Sequence, residues 1–583
     1  MGDDSHGQER NRETDQGALS RRDFQKLLGV SGAAVLGGVS LAGCQGETSA
    51  ALACPYCDST FESESALKDH LVDSHEDELR AALGDGPYPC PYGDQEFDDL
   101  ETLRNHLTEA HADEIDPSIP NEWDVETDVV VVGYGGAGVT AAIEALDNGA
   151  EVLALEKRER GGGSTAMSGG LFMTPSDESS VDGTVQYVME CGHGQVSESM
   201  ARTFANEAVE LPSWMESFGI TDLVVGYSEG YHSNFEGYQA ITSWIRESGG
   251  GAGLFNGLAN HAEDLGVEVR YNAPVDKLYT NSEGRVLGVH AAGEEDADIR
   301  ATGGVVLTCG GIDYAEELKK QYFRAWPKYS VGNPGNTGDA VYLAGSAGAE
   351  LWKLPENCGN YCHKFPEEEI AYYSGLQGAI ANRSAFIVDS NGNRFADETQ
   401  SYDAFHKELN DYDAVADEFP NIPSYVIFDE TTLNAGPIGY GPGWSGDNQE
   451  ELEKGWIVEA GGVRELADEI GVDPDQLEET LEQFNSRAEE GSAEPFGRSG
   501  KQSLDTPPIY AIKGYPGTWG TWGGPRIDTN AQVQDTNGES VPGLYAAGNA
   551  SAGVLKFLYP IGGASIGDAF AFGRIAGREA ASE

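Results

Sequence analysis

The feature that most constrains this chain is the run from Asp128 to Gly138, taken together with Glu156. Val129 to Val132 lead into Gly133-Tyr134-Gly135-Gly136-Ala137-Gly138, an apolar-faced segment follows, and Glu151-Val152-Leu153-Ala154-Leu155-Glu156 ends on an acid. A short continuous apolar run reads as a buried strand of a parallel sheet, the glycines as a tight turn, and the next segment as a helix. In such a turn one glycine permits the bend, one lets backbone approach a pyrophosphate, and one lets helix and strand pack closely. The free N–H groups at the helix start then face phosphate oxygens, and the acid takes a ribose hydroxyl. The sequence therefore predicts strand 128–133, helix 137–148 and strand 151–156 as a dinucleotide site. Gly133, Gly135, Gly136, Ala137, Gly138 and Glu156 face the ligand, with Lys157 beside them.

At 583 residues the chain is too long for one core, so at least two domains are expected. Its net charge of −62 is spread through sequence that also carries regular strand and helix patterns, which reads as a solvated acidic surface and not as disorder. That surface repels nucleic acid and anionic lipid, and it suits a halophilic setting where salt screens self-repulsion.

Ser20-Arg21-Arg22-Asp23-Phe24 precedes a weakly hydrophobic segment, Leu27 to Leu41, and Leu41-Ala42-Gly43-Cys44 closes it. Residues 1–44 resemble a twin-arginine export signal with a lipoprotein box. The implied product is an exported protein, lipid-anchored through Cys44 on the outer face of the cytoplasmic membrane.

Cys54, Cys57, His70 and His75 follow at C-x2-C-x12-H-x4-H spacing, with Phe61 and Leu67 placed as a small core. This puts two thiolates on a hairpin and two imidazoles one turn apart on a helix, a tetrahedral Zn2+ site within residues 50–78. A second copy, 86–114, keeps Cys90, Phe97, Leu103, His106 and His111 but has Gly93 at the second cysteine position. It binds zinc weakly, takes a water ligand, or keeps only the ββα fold. The units resemble C2H2 zinc fingers. Their helix face carries Glu62, Glu64, Asp69 and Asp73 against Lys68, so it is expected to repel nucleic acid and to serve as a spacer or docking module.

Residues 117–126 read as a linker. Beyond Glu156, Gly161 to Gly170 form a second glycine-rich segment where backbone can approach a cofactor, through Gly163, Ser164, Thr165, Ser168, Gly169 and Gly170. Residues 197–217 and Gly249 to Leu265 read as helices, 266–308 as short β-segments around Asn281 to Gly284, and Gly335 to Asp339 opens a helix to Gly348.

These segments, with Asn393-Arg394-Phe395-Ala396-Asp397-Glu398 and Gly543 to Ala550, resemble the flavoprotein family of soluble fumarate reductases and 3-ketosteroid dehydrogenases from about Asp128 to the carboxyl terminus. The resemblance implies an α/β fold in which a Rossmann-type FAD-binding domain (127–348 and 505–583) is interrupted by an α+β cap domain (349–504), with the active site between them. It adds Asp339, Gly548, Asn549, Ser565 and Ile566 to the residues facing FAD. No histidine lies in Ser164 to Gly170, where succinate dehydrogenases tether flavin, so non-covalent FAD is expected. No haem or iron–sulfur motif appears, and Cys358 and Cys362 read as an oxidised pair or as two separate cap cysteines.

Fumarate reductases hold a dicarboxylate with histidines and arginines. Here Thr399-Gln400-Ser401-Tyr402 follows Glu398 where their proton-donating arginine stands, Gly520 occupies the histidine position, and Leu558 to Gly563 replaces the second arginine motif. A dicarboxylate would lack bidentate partners. Tyr559-Pro560, Gly563 and Tyr402 resemble ketosteroid dehydrogenases instead. There a tyrosine and a glycine N–H hold the ketone oxygen, a second tyrosine removes a proton, and flavin N5 takes a hydride. This implies Tyr559 and Gly563 as the oxygen site and Tyr402 as the base, assisted by Tyr231 or Tyr227, with His232 and His363 structural. The expected activity is FAD-dependent dehydrogenation or reduction beside a carbonyl of a small apolar ketone or enone, with a quinone or redox protein as electron partner. A fumarate reductase-like reductase of an unsaturated acid is the second reading, and a zinc-finger adaptor with an inactive flavin scaffold the third. Metal analysis of the full chain should find about one zinc per molecule, and Cys57→Ser should release it while flavin stays bound; a zinc-free wild type would remove the finger from the account.

Overall fold

A computed structural model describes residues 122–583 apart from 282, 294–295, 377–379, 491–494 and 499–501; ahead of these it describes 52–53, 60–61, 88–89, 95–97, 102, 106 and 119–120. The chain divides into two compact units, Met1–Glu122 with Thr280–Glu283, and Trp123–Tyr279 with Gly284–Glu583. In the first, Leu52–Ala53 pairs antiparallel with Thr60–Phe61, and Tyr88–Pro89 with Glu96–Phe97. The proposed ligands Cys54, Cys57, His70 and His75, and the export segment with Arg21, Arg22 and Cys44, lie outside the described residues. Among the described residues no group of three or more His, Cys, Asp or Glu is placed to hold a metal ion, and no described helix is long and apolar enough to cross a membrane.

The second unit is built on a parallel sheet in which Val125–Val132 lies between Val152–Glu156 and Ala297–Leu307. Glu268–Tyr271 extends it beyond Val152–Glu156, and Ser540–Ala546 pairs with the end of Ala297–Leu307. Val129 to Val132 are buried because helices cover the sheet, as the unbroken valine run requires. The first strand starts at Val125, earlier than the sequence suggests, because residues 125–127 already pair with 299–301.

Helix Gly136–Asp147 lies against the last helix, Ala564–Ser582, at backbone contact. A Cβ added at Gly573 would stand 2.2 Å from Thr140 Oγ1, and one at Gly577 2.1 Å from the Ala141 carbonyl oxygen. Arg574 with Glu144 at 2.5 Å and Arg578 with Glu144 at 3.1 Å close the same seam, and Arg578 also pairs with Glu207 of helix Glu198–Ala208 at 2.6 Å. The segment 197–217 is two helices, Glu198–Ala208 and Leu211–Ser217, with a proline in the first turn of the second, where its missing N–H costs no hydrogen bond.

A second sheet forms the cap, and its centre is Ile509–Thr521. That strand pairs with Ser424–Asp429, Asn357–His363, Ile457–Ala460 and Tyr329–Ser330. Strands of this sheet thus lie on both sides of the 349–504 read from the sequence as the cap. The chain enters the second sheet at Tyr329 and leaves it after Thr521, because strand pairing, which has no local signal, sets the boundary. A small antiparallel sheet of Phe172–Pro175, Ile241–Arg246 and Leu223–Tyr227 lies against the last helix, where a Cβ at Gly567 would stand 2.3 Å from the Met173 carbonyl oxygen.

Candidate active site

One continuous cavity runs from the glycine turn to the cap sheet. Every dinucleotide-facing residue named above lines it except Gly138. Gly138 instead lets the helix lie on the strand, since a Cβ there would stand 2.1 Å from the Gly133 carbonyl oxygen. Gly133 has φ +97°, and a side chain on it would meet Cys309 Cα at 2.5 Å. The helix after the turn has no side-chain cap and no acidic residue in its first turn, so its opening N–H groups are available to an anion.

Glu156 is buried and held in one orientation. Tyr134 N donates to its Oε2 at 3.0 Å and Arg158 N to its Oε1 at 2.9 Å. Lys157 Nζ donates to Thr337 Oγ1 and to Asp339 Oδ2, each at 2.6 Å, tying the second strand to the helix that Asp339 begins. Asn336 Nδ2 bridges Ser164 Oγ and Asp313 Oδ1, both at 3.0 Å. Burial pushes the Asp313 carboxyl up to about 6. A cradle that any Cβ would fill, an uncapped helix start and an oriented carboxylate together fit a pyrophosphate and its ribose.

At its other end the cavity is aromatic, walled by Tyr227, Tyr231, Tyr373, Tyr402, Trp519 and Tyr559. Tyr402 opens helix Tyr402–Glu408, whose Ser401 cap accepts from Ala404 N. Its ring centroid is 6.0 Å from that of Tyr559 and 6.0 Å from that of Tyr231; Tyr227 is one ring further out, 6.1 Å from Tyr231, and exposed. The structure thus selects Tyr231 as the neighbour of Tyr402. Tyr559 is buried, stacks on Trp522 at 5.6 Å, and accepts from Ser565 N at 3.1 Å. Burial, and then the Cys358 thiol, push the phenols of Tyr402 and Tyr559 well above the ordinary tyrosine value. Gly563, at φ +91°, caps the last helix where a Cβ would stand 2.5 Å from Leu171 C.

Among the described residues lining the cavity Lys157 is the one cation, and it stands at the dinucleotide end. Arg394 is bound by both oxygens of Glu398 at 2.8 Å, and Arg383 donates to the Ala435 carbonyl at 3.0 Å. His232 lies 3.1 Å from the Tyr559 carbonyl oxygen and supports that loop. His363 is buried against the Lys513 carbonyl at 2.9 Å, and burial pushes it down to about 4. Cys358 and Cys362 are two free thiols, not an oxidised pair. Cys358, Tyr373 and Trp519 were not anticipated as site residues. Cys358 and Tyr373 belong to no motif, and the pairing of Cys358 with Gly520 across the cap sheet brings that wall together. Trp519 was within reach, being adjacent to the aligned Gly520.

A dinucleotide cradle opening into an aromatic chamber defines a flavoprotein oxidoreductase. Residues 128–566 match the FAD binding domain family, and the chain belongs to it. It is 27% identical over 78% of its length to 94% of the 4-oxocyclohex-2-ene-1-carboxylate 5-dehydrogenase of Sinomonas cyclohexanicum. It is 28% identical over 80% of its length to 76% of the urocanate reductase of Eggerthella lenta. Its fold is similar to the crystal structure of 3-ketosteroid delta1-dehydrogenase from Sterolibacterium denitrificans, with TM-score 0.71 and 22% identity over 78% of this chain and 99% of that one. The chain is an FAD-dependent oxidoreductase of carbon–carbon bonds, working by dehydrogenation or reduction. Glu156→Ala should weaken FAD binding roughly 10- to 100-fold by removing a charged ribose partner, read by fluorescence titration of the apoprotein with FAD. Unchanged affinity would remove Glu156 from the site.

Proposed function

We propose that this enzyme dehydrogenates the carbon–carbon bond beside the ketone of a neutral, apolar ring substrate. The observation that carries this reading is the chamber itself, in which Tyr402, Tyr559 and Tyr231 adjoin one another where a dicarboxylate would need cations. Two buried carboxylates there would be left without partners, at a cost of several kcal/mol. The Sinomonas relative, whose name places its chemistry on a ring ketone, supports the same substrate class.

Tyr559 accepts from Ser565 N and so has its own proton to donate to the ketone oxygen, with the Gly563 N–H as second donor. Both bonds strengthen as that oxygen gains charge, which acidifies the adjacent C–H. Tyr402 removes the proton. Its raised pKa makes the phenolate a strong base but leaves little of it ionised near neutrality, so turnover rises with pH. Tyr231, edge-on to the Tyr402 ring at 6.0 Å, partners the phenol as it changes charge. The aromatic walls exclude water around the reacting carbons. FAD, bound through the glycine cradle and Glu156, supplies the hydride acceptor, and an external quinone or redox protein takes the electrons on.

The amino-terminal segment, on this reading, carries one Zn2+ on Cys54, Cys57, His70 and His75 and a lipid anchor at Cys44. The cysteine–histidine spacing and the Leu52–Ala53 ladder with Thr60–Phe61 support the finger. The acidic surface argues against a nucleic-acid partner.

Tyr559→Phe should lower the rate of anaerobic flavin bleaching by ~10²- to 10³-fold with a smaller change in ketone binding, since the lost bond matters most as charge develops. Tyr402→Phe should bind ketone and FAD yet lose bleaching, and with it the rise of rate with pH. Full activity of both variants would overturn this mechanism while leaving the flavoprotein fold in place.

A further inference from the structure

The two tyrosines sit on separate elements, and a single buried carboxylate joins them. Asp403 follows Tyr402 in the helix and is 1% exposed. Its Oδ2 accepts from Tyr559 N at 3.2 Å, and its Oδ1 accepts from Gly359 N at 3.1 Å. Helix Tyr402–Glu408, strand Asn357–His363 and the loop before the last helix are thus held at one point. The helix also rests flat on the strand, since a Cβ at Gly359 would stand 2.1 Å from His406 Cγ.

We propose that Asp403 is the positioning residue of the reaction, setting the separation of Tyr402 and Tyr559 through its two backbone N–H bonds. The proposal rests on the roles given to those tyrosines above. A carboxylate suits this place because it offers an acceptor oxygen to each N–H, whereas an amide offers one oxygen and a mismatched NH2.

The charges around Asp403 fix the sign of its effect. Lys407 of the same helix lies 3.4 Å from Oδ2. Lys328, from the segment entering the cap sheet, is buried, pushed down to about 7 chiefly by burial, and hydrogen-bonded to His406 Nε2 at 3.0 Å. His406 is itself pushed down by burial and by Lys328. His232 faces the carboxylate from the loop after Leu223–Tyr227, Cys191 from the end of helix Val181–Cys191, and Cys358 from the strand Asn357–His363. Burial holds the thiols protonated and pushes His232 toward neutrality, which leaves Asp403 with the cations Lys407 and Lys328 beside the Tyr402 phenol, and the Asp403 carboxylate opposes its ionisation. Removing the anion makes Tyr402 easier to ionise, and removing a cation makes it harder.

The test is the pH profile of anaerobic ketone-driven flavin bleaching in the full-length holoenzyme. Asp403→Asn should keep its FAD, lose at least ~10-fold in the plateau rate through misplaced groups with ketone binding much less affected, and move the rise with pH to lower pH. Lys407→Met, which leaves both N–H bonds intact, should move the rise to higher pH. Opposite displacements are beyond a merely structural role. Should Asp403→Asn fail to retain FAD, Asp403→Glu, which keeps the charge but displaces the oxygens, takes its place: a lowered plateau with an unmoved profile is expected, and a wild-type plateau overturns the proposal. A plateau rate and profile like wild type in Asp403→Asn, or an unmoved profile in Lys407→Met, overturns the proposal while inactive Tyr402→Phe keeps the tyrosine mechanism standing. Fully active Tyr402→Phe and Tyr559→Phe would overturn both.

Discussion

The site depends on one closure of the parallel sheet. Val305 to Leu307 pair with Val130 to Val132 on one side and with Leu544 to Ala546 on the other. That pairing carries Gly548, Asn549, Tyr559 and Gly563 back to the glycine turn from the far end of the sequence. The last helix then locks the return against Gly136–Asp147, where Gly573 and Gly577 admit backbone contact that any larger residue would prevent. The cap is inserted between the strands so joined, and its long strand Ile509–Thr521 leads the chain back.

The two ends of the cavity differ in kind. At the dinucleotide end oriented N–H groups, Lys157 and the Glu156 carboxylate suit phosphate and ribose. At the other end tyrosines and a tryptophan replace the charged groups that a dicarboxylate would need. This contrast stands out in a chain of net charge −62, in which the chamber wall is aromatic and the nearest carboxylate, Asp403, lies behind it on backbone N–H groups. Low polarity there strengthens the few hydrogen bonds present, which is the condition for polarising a ketone. The Tyr402 and Tyr559 phenols are correspondingly hard to ionise; in the mechanism we propose, base strength and the fraction of active enzyme near neutrality therefore pull in opposite directions.

The dinucleotide half was legible in the sequence because its requirements are local. Gly133 needs its positive φ and Gly138 its approach to the Gly133 carbonyl within the turn itself, and Glu156 ends the adjacent strand. The reacting half was legible in part. Tyr402 and Tyr559 came from resemblance to a family pattern, whereas the choice of Tyr231 over Tyr227 needed the geometry. Cys358, Tyr373 and Asp403 left no signal, since they act through pairing and packing between segments far apart in the chain. The sheet to which Ile509–Thr521 belongs left no local signal for the same reason: the strand is apolar enough for either sheet, and its partners alone decide.

The most direct test of the central claim is anaerobic titration of the oxidised holoenzyme's flavin band with neutral ring ketones, monocyclic and steroidal, set beside succinate. The account predicts that a ring ketone bleaches the band while succinate leaves it unchanged, and that fumarate fails to reoxidise the reduced enzyme. Bleaching by succinate or rapid reoxidation by fumarate, with every ketone inert, would contradict it.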